Sequence, residues 1–172
     1  MPLWAIAGFL DYLCHRGSRM ECATGILESL IHWLMLTEVI VPLVLGIFFR
    51  VNALILALMI ICLIAHEISG YYDLKLAMIT RRVTIFEHQI HSALEILPLT
   101  AMLLVMALHW PQTQALFGFG SELADFSLGP KQIPRWNEIV RPGAAFLVIV
   151  IVPYLEEFWR GWSAHKKNNI KV

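Results

Sequence analysis

Apolar residues run through this chain in long uninterrupted stretches rather than in the short alternating segments of a soluble domain. Four stretches, at about 31–49, 51–68, 90–109 and 144–159, approach the ~20 residues that a helix needs to cross a hydrocarbon core. The second is the cleanest, with Asn52 its only polar interruption before His66. Arg50 and Asn52 leave room only for a tight turn between the first two spans, which makes them antiparallel neighbours. Pro98 and Pro153 fall inside the third and fourth spans, where proline kinks a membrane helix rather than ending it. Residues 111–141 are richer in Pro, Gly and polar groups and predict one long loop. The segment Leu3 to His15 reads as a short amphipathic or re-entrant helix. The pattern predicts an all-α fold: a single integral membrane domain, a four-helix bundle with a short N-terminal helix.

Composition agrees. Of 172 residues, 58% are hydrophobic and 15% charged, with a mean hydropathy of +0.67, so the bilayer is the expected solvent. A net charge of zero and the lack of a basic stripe with interleaved aromatics argue against nucleic acid as a partner. Cys14, Cys22 and Cys62 are odd in number and form no C-x-x-C pair, which opposes a disulfide framework or a thiolate zinc site. The apolar run from Leu3 to Leu10 lacks a positive flank and a cleavage site, so it is read as mature sequence rather than a signal peptide. Nine lysines and arginines fall on one side of a four-span model and four on the other, which predicts that both termini are cytoplasmic and that 111–141 is not.

The chemistry lies at the ends of the spans. Histidines and carboxylates occur together as Asp11-x3-His15, Glu28-x3-His32, His66-Glu67 with Asp73 beyond, and Glu87-His88-x-x-His91 with Glu95 a turn later. Residues four apart differ by about 40° around a helix and residues seven apart by about 20°, so each word aims two or more donors at one side. Glu21 extends the Glu28–His32 stripe. The topology gathers these words on the cytoplasmic face. For a single pair, a hydrogen-bonded couple at a helix end is the ordinary explanation; four coincident pairs on one face favour a metal site over a structural network or proton relay. His15, His32, His66 and His91 are the candidate nitrogen ligands and Glu28, Asp73 and Glu87 the candidate oxygen ligands. Asp11, Glu67, His88 and Glu95 are candidates to bind or to orient a ligand. His66-Glu67 does not open a zincin motif, because Gly70 stands where the second histidine is needed. Glu38 is too deep to be a direct ligand, and Glu156 and Glu157 support the site at most, with Arg160 able to pair with either.

These words resemble, in outline, the integral membrane non-haem di-iron oxygenases, the fatty-acid hydroxylases and desaturases. The chain lacks their His-x3-His and His-x-x-His-His boxes. Over residues 10–110 it is also similar to small uncharacterised bacterial inner-membrane proteins. The oxygenase resemblance implies two iron ions, O2 as co-substrate, an apolar or lipid-like substrate arriving from the bilayer, and a separate electron donor. Hard carboxylates with imidazoles suit iron, with manganese or zinc as lesser choices. A b-type haem electron carrier and a proton or metal-ion transport protein are the alternatives from other classes.

Overall fold

The computed structural model describes residues 2–18, 26–132 and 136–169, and most of the described residues are helical. Its elements are α1 (Pro2–Ser18), α2 (Ile26–Phe48), α3 (Ala53–Thr80), α4 (Ile85–Leu108), the short α5 (Trp110–Leu116), α6 (Trp136–Phe146) and α7 (Val152–Asn169). A π-helical turn, Leu147–Ile151, joins α6 to α7. Four helices are long and apolar enough to cross a membrane: α2, α3, α4, and the run Val140–Lys166 through the π turn. Glu21 and Cys22 lie outside the described residues.

Polarity is inverted relative to a soluble bundle. Ile61, Ile64, Leu103 and Leu104 are each more than half exposed on the outer faces, whereas His15, Glu28, His66, Asp73 and Glu87 are at most 2% exposed. A chain with this distribution is stable in lipid, where apolar surface needs no cover and polar groups must find partners inside.

The helices outrun the apolar stretches at one end. At 1.5 Å per residue α3 is about 42 Å long against a core of ~30 Å, so its last three turns, from Ser69 onward, extend past the span expected from hydropathy. α4 begins at Ile85, five residues before its expected span. Its start is fixed by a capping box: Thr84 Oγ1 accepts from the Glu87 backbone N–H at 3.1 Å, and the Glu87 carboxylate reaches back to the Thr84 N–H.

α1 is an unbroken helix about 25 Å long, antiparallel to α4. Asp11 and His15 meet His91 and Glu87, while Trp4 packs lower down with Leu94, Leu36 and Val150. It therefore dips part-way into the bundle as a fifth packing helix. The long loop expected over 111–141 is shorter, because α5 and α6 claim its two ends.

The intervening chain latches onto the α2–α3 turn. Arg50 N donates to Gly129 O (2.9 Å), Lys131 N to Phe48 O (2.8 Å) and Leu54 N to Asp125 O (3.2 Å). Asn52 is the keystone of this end: its Oδ1 caps α3 by accepting from Ile55 N, and its Nδ2 donates to Ser127 O.

Pro153 explains the π turn. Without an N–H it cannot donate to the preceding turn, and the wider i→i+5 closure, Val152 N to Leu147 O, absorbs the defect. The extra residue also rotates everything after it, which is how α7 turns Tyr154 and Glu157 toward the other helices.

Replacing Asn52 with Ala removes a cap and a loop tether together. Stability in detergent should fall by about 1–2 kcal/mol, measured by thermal or denaturant unfolding.

Candidate metal centre

Five helices converge at the end where α3 finishes and α4 begins. α1 contributes Asp11 and His15, α2 Glu28 and His32, α3 Asp73, α4 Glu87 and His91, and α7 Glu157. All eight are buried. The i,i+4 words fold as their spacing dictates: His15 Nε2 lies 3.6 Å from Asp11 of its own helix.

Glu157 organises the imidazoles. Its Oε1 is 2.7 Å from His32 Nδ1 and its Oε2 is 3.3 Å from His15 Nδ1. A carboxylate accepts, so each Nδ1 carries a proton and each Nε2 is the position left for a further cation, a second proton or a metal. The two rings stack in parallel with centroids 4.8 Å apart. Face-to-face stacking disfavours a positive charge on both at once.

The two Nε2 atoms then look at oxygen. His32 Nε2 is 3.2 Å from Asp73 Oδ1. His15 Nε2 is surrounded by Asp11 at 3.6 Å, Glu87 at 3.5 Å and Glu28 at 3.7 Å. His91 Nε2 is 3.0 Å from Asp11 Oδ1 but misaligned for a hydrogen bond, and its Nδ1 is 3.9 Å from Asp73. None of these three Nε2 atoms has a well-aligned hydrogen-bond partner, nor do Asp11 Oδ1 and Asp73 Oδ1. Lone pairs facing lone pairs in a buried site repel unless a cation lies between them.

The spacings suit one. Ligand atoms about 2.1 Å from an ion stand roughly 3.0–3.4 Å from their neighbours around it. Asp11, His15 and His91 form one triplet of donors within 4.8 Å of one another, and Glu28, His32 and Asp73 form a second that shares no residue with the first. A third triplet, His15, His32 and Glu157, is the orienting arrangement just described. Carboxylates that fix the tautomer of ligating histidines in this way are a regular feature of metal sites.

Charge points the same way. Asp11, Glu28, Asp73, Glu87 and Glu157 bring five carboxylates, and the one guanidinium among them is that of Arg81. Its side chain is 6% exposed and it grips Glu28 at 2.8 Å and Glu87 more closely still. With the imidazoles neutral, four negative charges remain, the number that two divalent ions balance.

Outside the spans the field is evident in the titrating groups. Burial alone raises the Asp11 carboxyl, but the charge of His15 and the adjacent His91 bring it down to about 2. Burial alone lowers the His15 pKa, but Asp11 and Glu157 raise it above its ordinary 6.5. The pocket favours a cation at His15 Nε2, be it a proton or a metal.

Comparison with protein-family models, with curated proteins and with solved structures finds no match. The functional reading therefore rests on this geometry.

Of the residues expected from the sequence, His15, Glu28, His32, Asp73, Glu87, His91 and Asp11 are brought together. His66 is not among them: seven residues, two turns or about 10 Å, separate it from Asp73, so a shared face does not give a shared depth. Its nearest carboxylate is Glu38 at 3.7 Å. Glu67 and His88 each stand one residue, about 100°, off the inward line and are exposed. Glu95 borders a cavity of about 20 Å³ shared by Asp11, His32, Asp73, His91 and His66. Gly70 permits this approach, since a Cβ there would stand 3.3 Å from Glu95 Oε1.

Two residues were undervalued by sequence reasoning. Arg81 reads as one more surface cation setting orientation, and only the capping box that starts α4 three residues later hints that it sits beside Glu87. Glu157, expected at the margin of the site, lies inside it and touches two histidines. Arg160 pairs with Glu156 at 3.0 Å, which leaves Glu157 to the cluster.

Glu157→Gln keeps every donor of both triplets but weakens the control of tautomer. Metal affinity should fall about 10–100-fold, measured by competition with a chelator on purified protein, with helicity unchanged.

Proposed function

We propose that the chain is a membrane-embedded dinuclear non-haem metal protein, most suited to iron, that carries out O2-dependent oxidation of an apolar or lipid-like substrate. The reading is carried by the two residue-independent triplets of buried donors whose Nε2 lone pairs face carboxylate oxygens. By the asymmetry of basic residues the site lies at the cytoplasmic face, with both termini on that side, as in a bacterial inner-membrane protein.

In this reading Asp11, His15 and His91 hold one ion and Glu28, His32 and Asp73 the other, with Glu87 beside the first. Bound there, the iron pair supplies the redox capacity for dioxygen-dependent chemistry. The protein's own groups do the rest. Glu157 keeps a proton on each Nδ1, which directs both Nε2 atoms inward. Arg81 holds Glu28 and Glu87 in place and limits the negative charge to what two divalent ions neutralise. Trp4, Leu94 and Tyr154 wall the 20 Å³ cavity, which has room for about one small molecule and excludes bulk water. Hydroxylation of a C–H bond takes one dioxygen, two electrons and two protons and yields an alcohol and a water, so a separate electron donor is required.

Two other classes fit less well. A haem between two axial imidazoles of His32, His66 and His91 needs their nitrogens opposed across its plane, whereas each of the three has a carboxylate beside a ring nitrogen, at 3.2 Å, 3.7 Å and 3.0 Å respectively. An ion pathway needs polar groups across the bilayer, and here they stop at Glu38, Ser69 and His66, above an apolar cavity.

Purified protein should contain close to two metal ions per chain. His91→Ala should lose at least half of that metal, and His109→Ala, at the opposite end of α4, should lose none; elemental analysis of both variants decides. Zinc near one equivalent would point instead to a hydrolytic or structural site.

Affinity should also depend on pH with a defined sign. The raised His15 pKa means that the metal-free site is stabilised by a proton fully below pH 6.5, a contribution lost as pH rises through the raised value. The metal competes with that proton. Apparent metal affinity should therefore keep increasing above pH 6.5, measured by titration at several pH values.

A further inference from the structure

A second cavity, of about 310 Å³, lies between α2, α3 and α4 on the membrane side of the cluster. Its size is at the lower end of the range for small-molecule sites. The walls are apolar, built by Pro42, Gly46, Met59, Leu63, Ala101 and Val105 among others. Along α3 it runs from His66 to Met59 and along α2 from Glu38 to Ile47, which is about 10–14 Å of helix. Its length suits a chain rather than a ring.

The polar groups are all at one end. Glu38 and His66 line it there, and His66 also lines the small cavity against the metal cluster. His66 is 2% exposed, and neither of its ring nitrogens has a hydrogen-bond partner, nor does Glu38 Oε2. Ser69 donates to the other Glu38 oxygen at 3.0 Å, which holds the carboxyl in place and leaves Oε2 turned toward His66. A buried imidazole with two unused nitrogens at the head of an apolar cavity is costly unless a ligand supplies the missing hydrogen bonds. The lining includes no lysine or arginine among the described residues, so an anionic head would share this end with an acid and no counter-charge.

We propose that this cavity binds a neutral, single-chain alkyl compound with one oxygen head, an aliphatic alcohol or aldehyde, its oxygen between Glu38 and His66 and its chain toward Met59 and Val105. That the ligand is the substrate or product of the cluster rests on the oxidative reading above. The binding itself does not.

The test uses the full-length protein in lipid nanodiscs and a photoreactive analogue of decanol with its diazirine at the far end of the chain. Labelling should be saturable and map to the segments holding Met59 and Met102. Decanol should suppress it at least about tenfold more effectively than decane or decanoate, the worth of one buried hydrogen bond. Ala101→Phe and, independently, Val105→Phe should abolish labelling while helicity and the thermal unfolding midpoint stay at the wild-type value, which shows that each variant is folded. Glu38→Leu should retain labelling but lose the preference for decanol over decane. Equal competition by decane would mean a groove for bilayer chains and overturn the proposal, as would a preference for decanoate or labelling that does not saturate. If labelling behaves as expected but wild-type protein holds no metal, the oxidative reading fails and the binding site stands.

Discussion

Five carboxylates packed into one end of a helix bundle repel one another, and every other feature of that end answers this repulsion. Taking an ion out of water costs several kcal/mol even after relaxation, and mutual attraction recovers it only with good geometry and further hydrogen bonds. Arg81 neutralises one charge through contacts to Glu28 and Glu87. Glu157 is held by two imidazole N–H groups. The capping box of α4 occupies the second oxygen of Glu87. What remains is a set of oxygen and nitrogen atoms aimed at shared points, and that remainder is the observation on which the proposed metal centre rests.

The fold was legible because the bilayer imposes a simple rule on sequence. Uninterrupted apolar runs marked three of the crossings to within a few residues on their buried-membrane ends. Their polar ends were misjudged, because hydropathy detects where a helix leaves the hydrocarbon, not where it stops: α3 continues to Thr80 and α4 starts at Ile85. The i,i+4 words were legible for the same geometric reason that makes them work. Depth was not. His66 and Asp73 share a face yet differ by two turns, so periodicity placed His66 with a cluster that it only overlooks. Arg81 and Glu157 were obscured for a different reason: Glu28 is 53 residues from Arg81 and the two histidines are 125 or more from Glu157, and no local pattern encodes such contacts; only the Arg81–Glu87 pair is local.

Depth also separates two kinds of polar group. The outer layer is rich in charge and crowded, with donors from five helices. The inner one is sparse, consisting of Glu38, Ser69 and His66 beneath it. Among the described residues, His66 is the one that lines both cavities. Gly70, one turn beyond it, keeps α3 and the Glu95 side chain close enough to close the space between them.

The dependence of the cluster on α7 has a consequence for biogenesis. Chains are made from the N-terminus, so the donors of α1 emerge well before Glu157 of α7, which holds both imidazoles. Until α7 has inserted and its π turn has rotated Glu157 inward, the two histidines have no fixed protonation pattern and the two triplets are not yet preorganised. Assembly of the buried cluster is thereby tied to completion of the bundle, so that a half-inserted chain presents loose acidic and basic side chains rather than a preorganised set of donors.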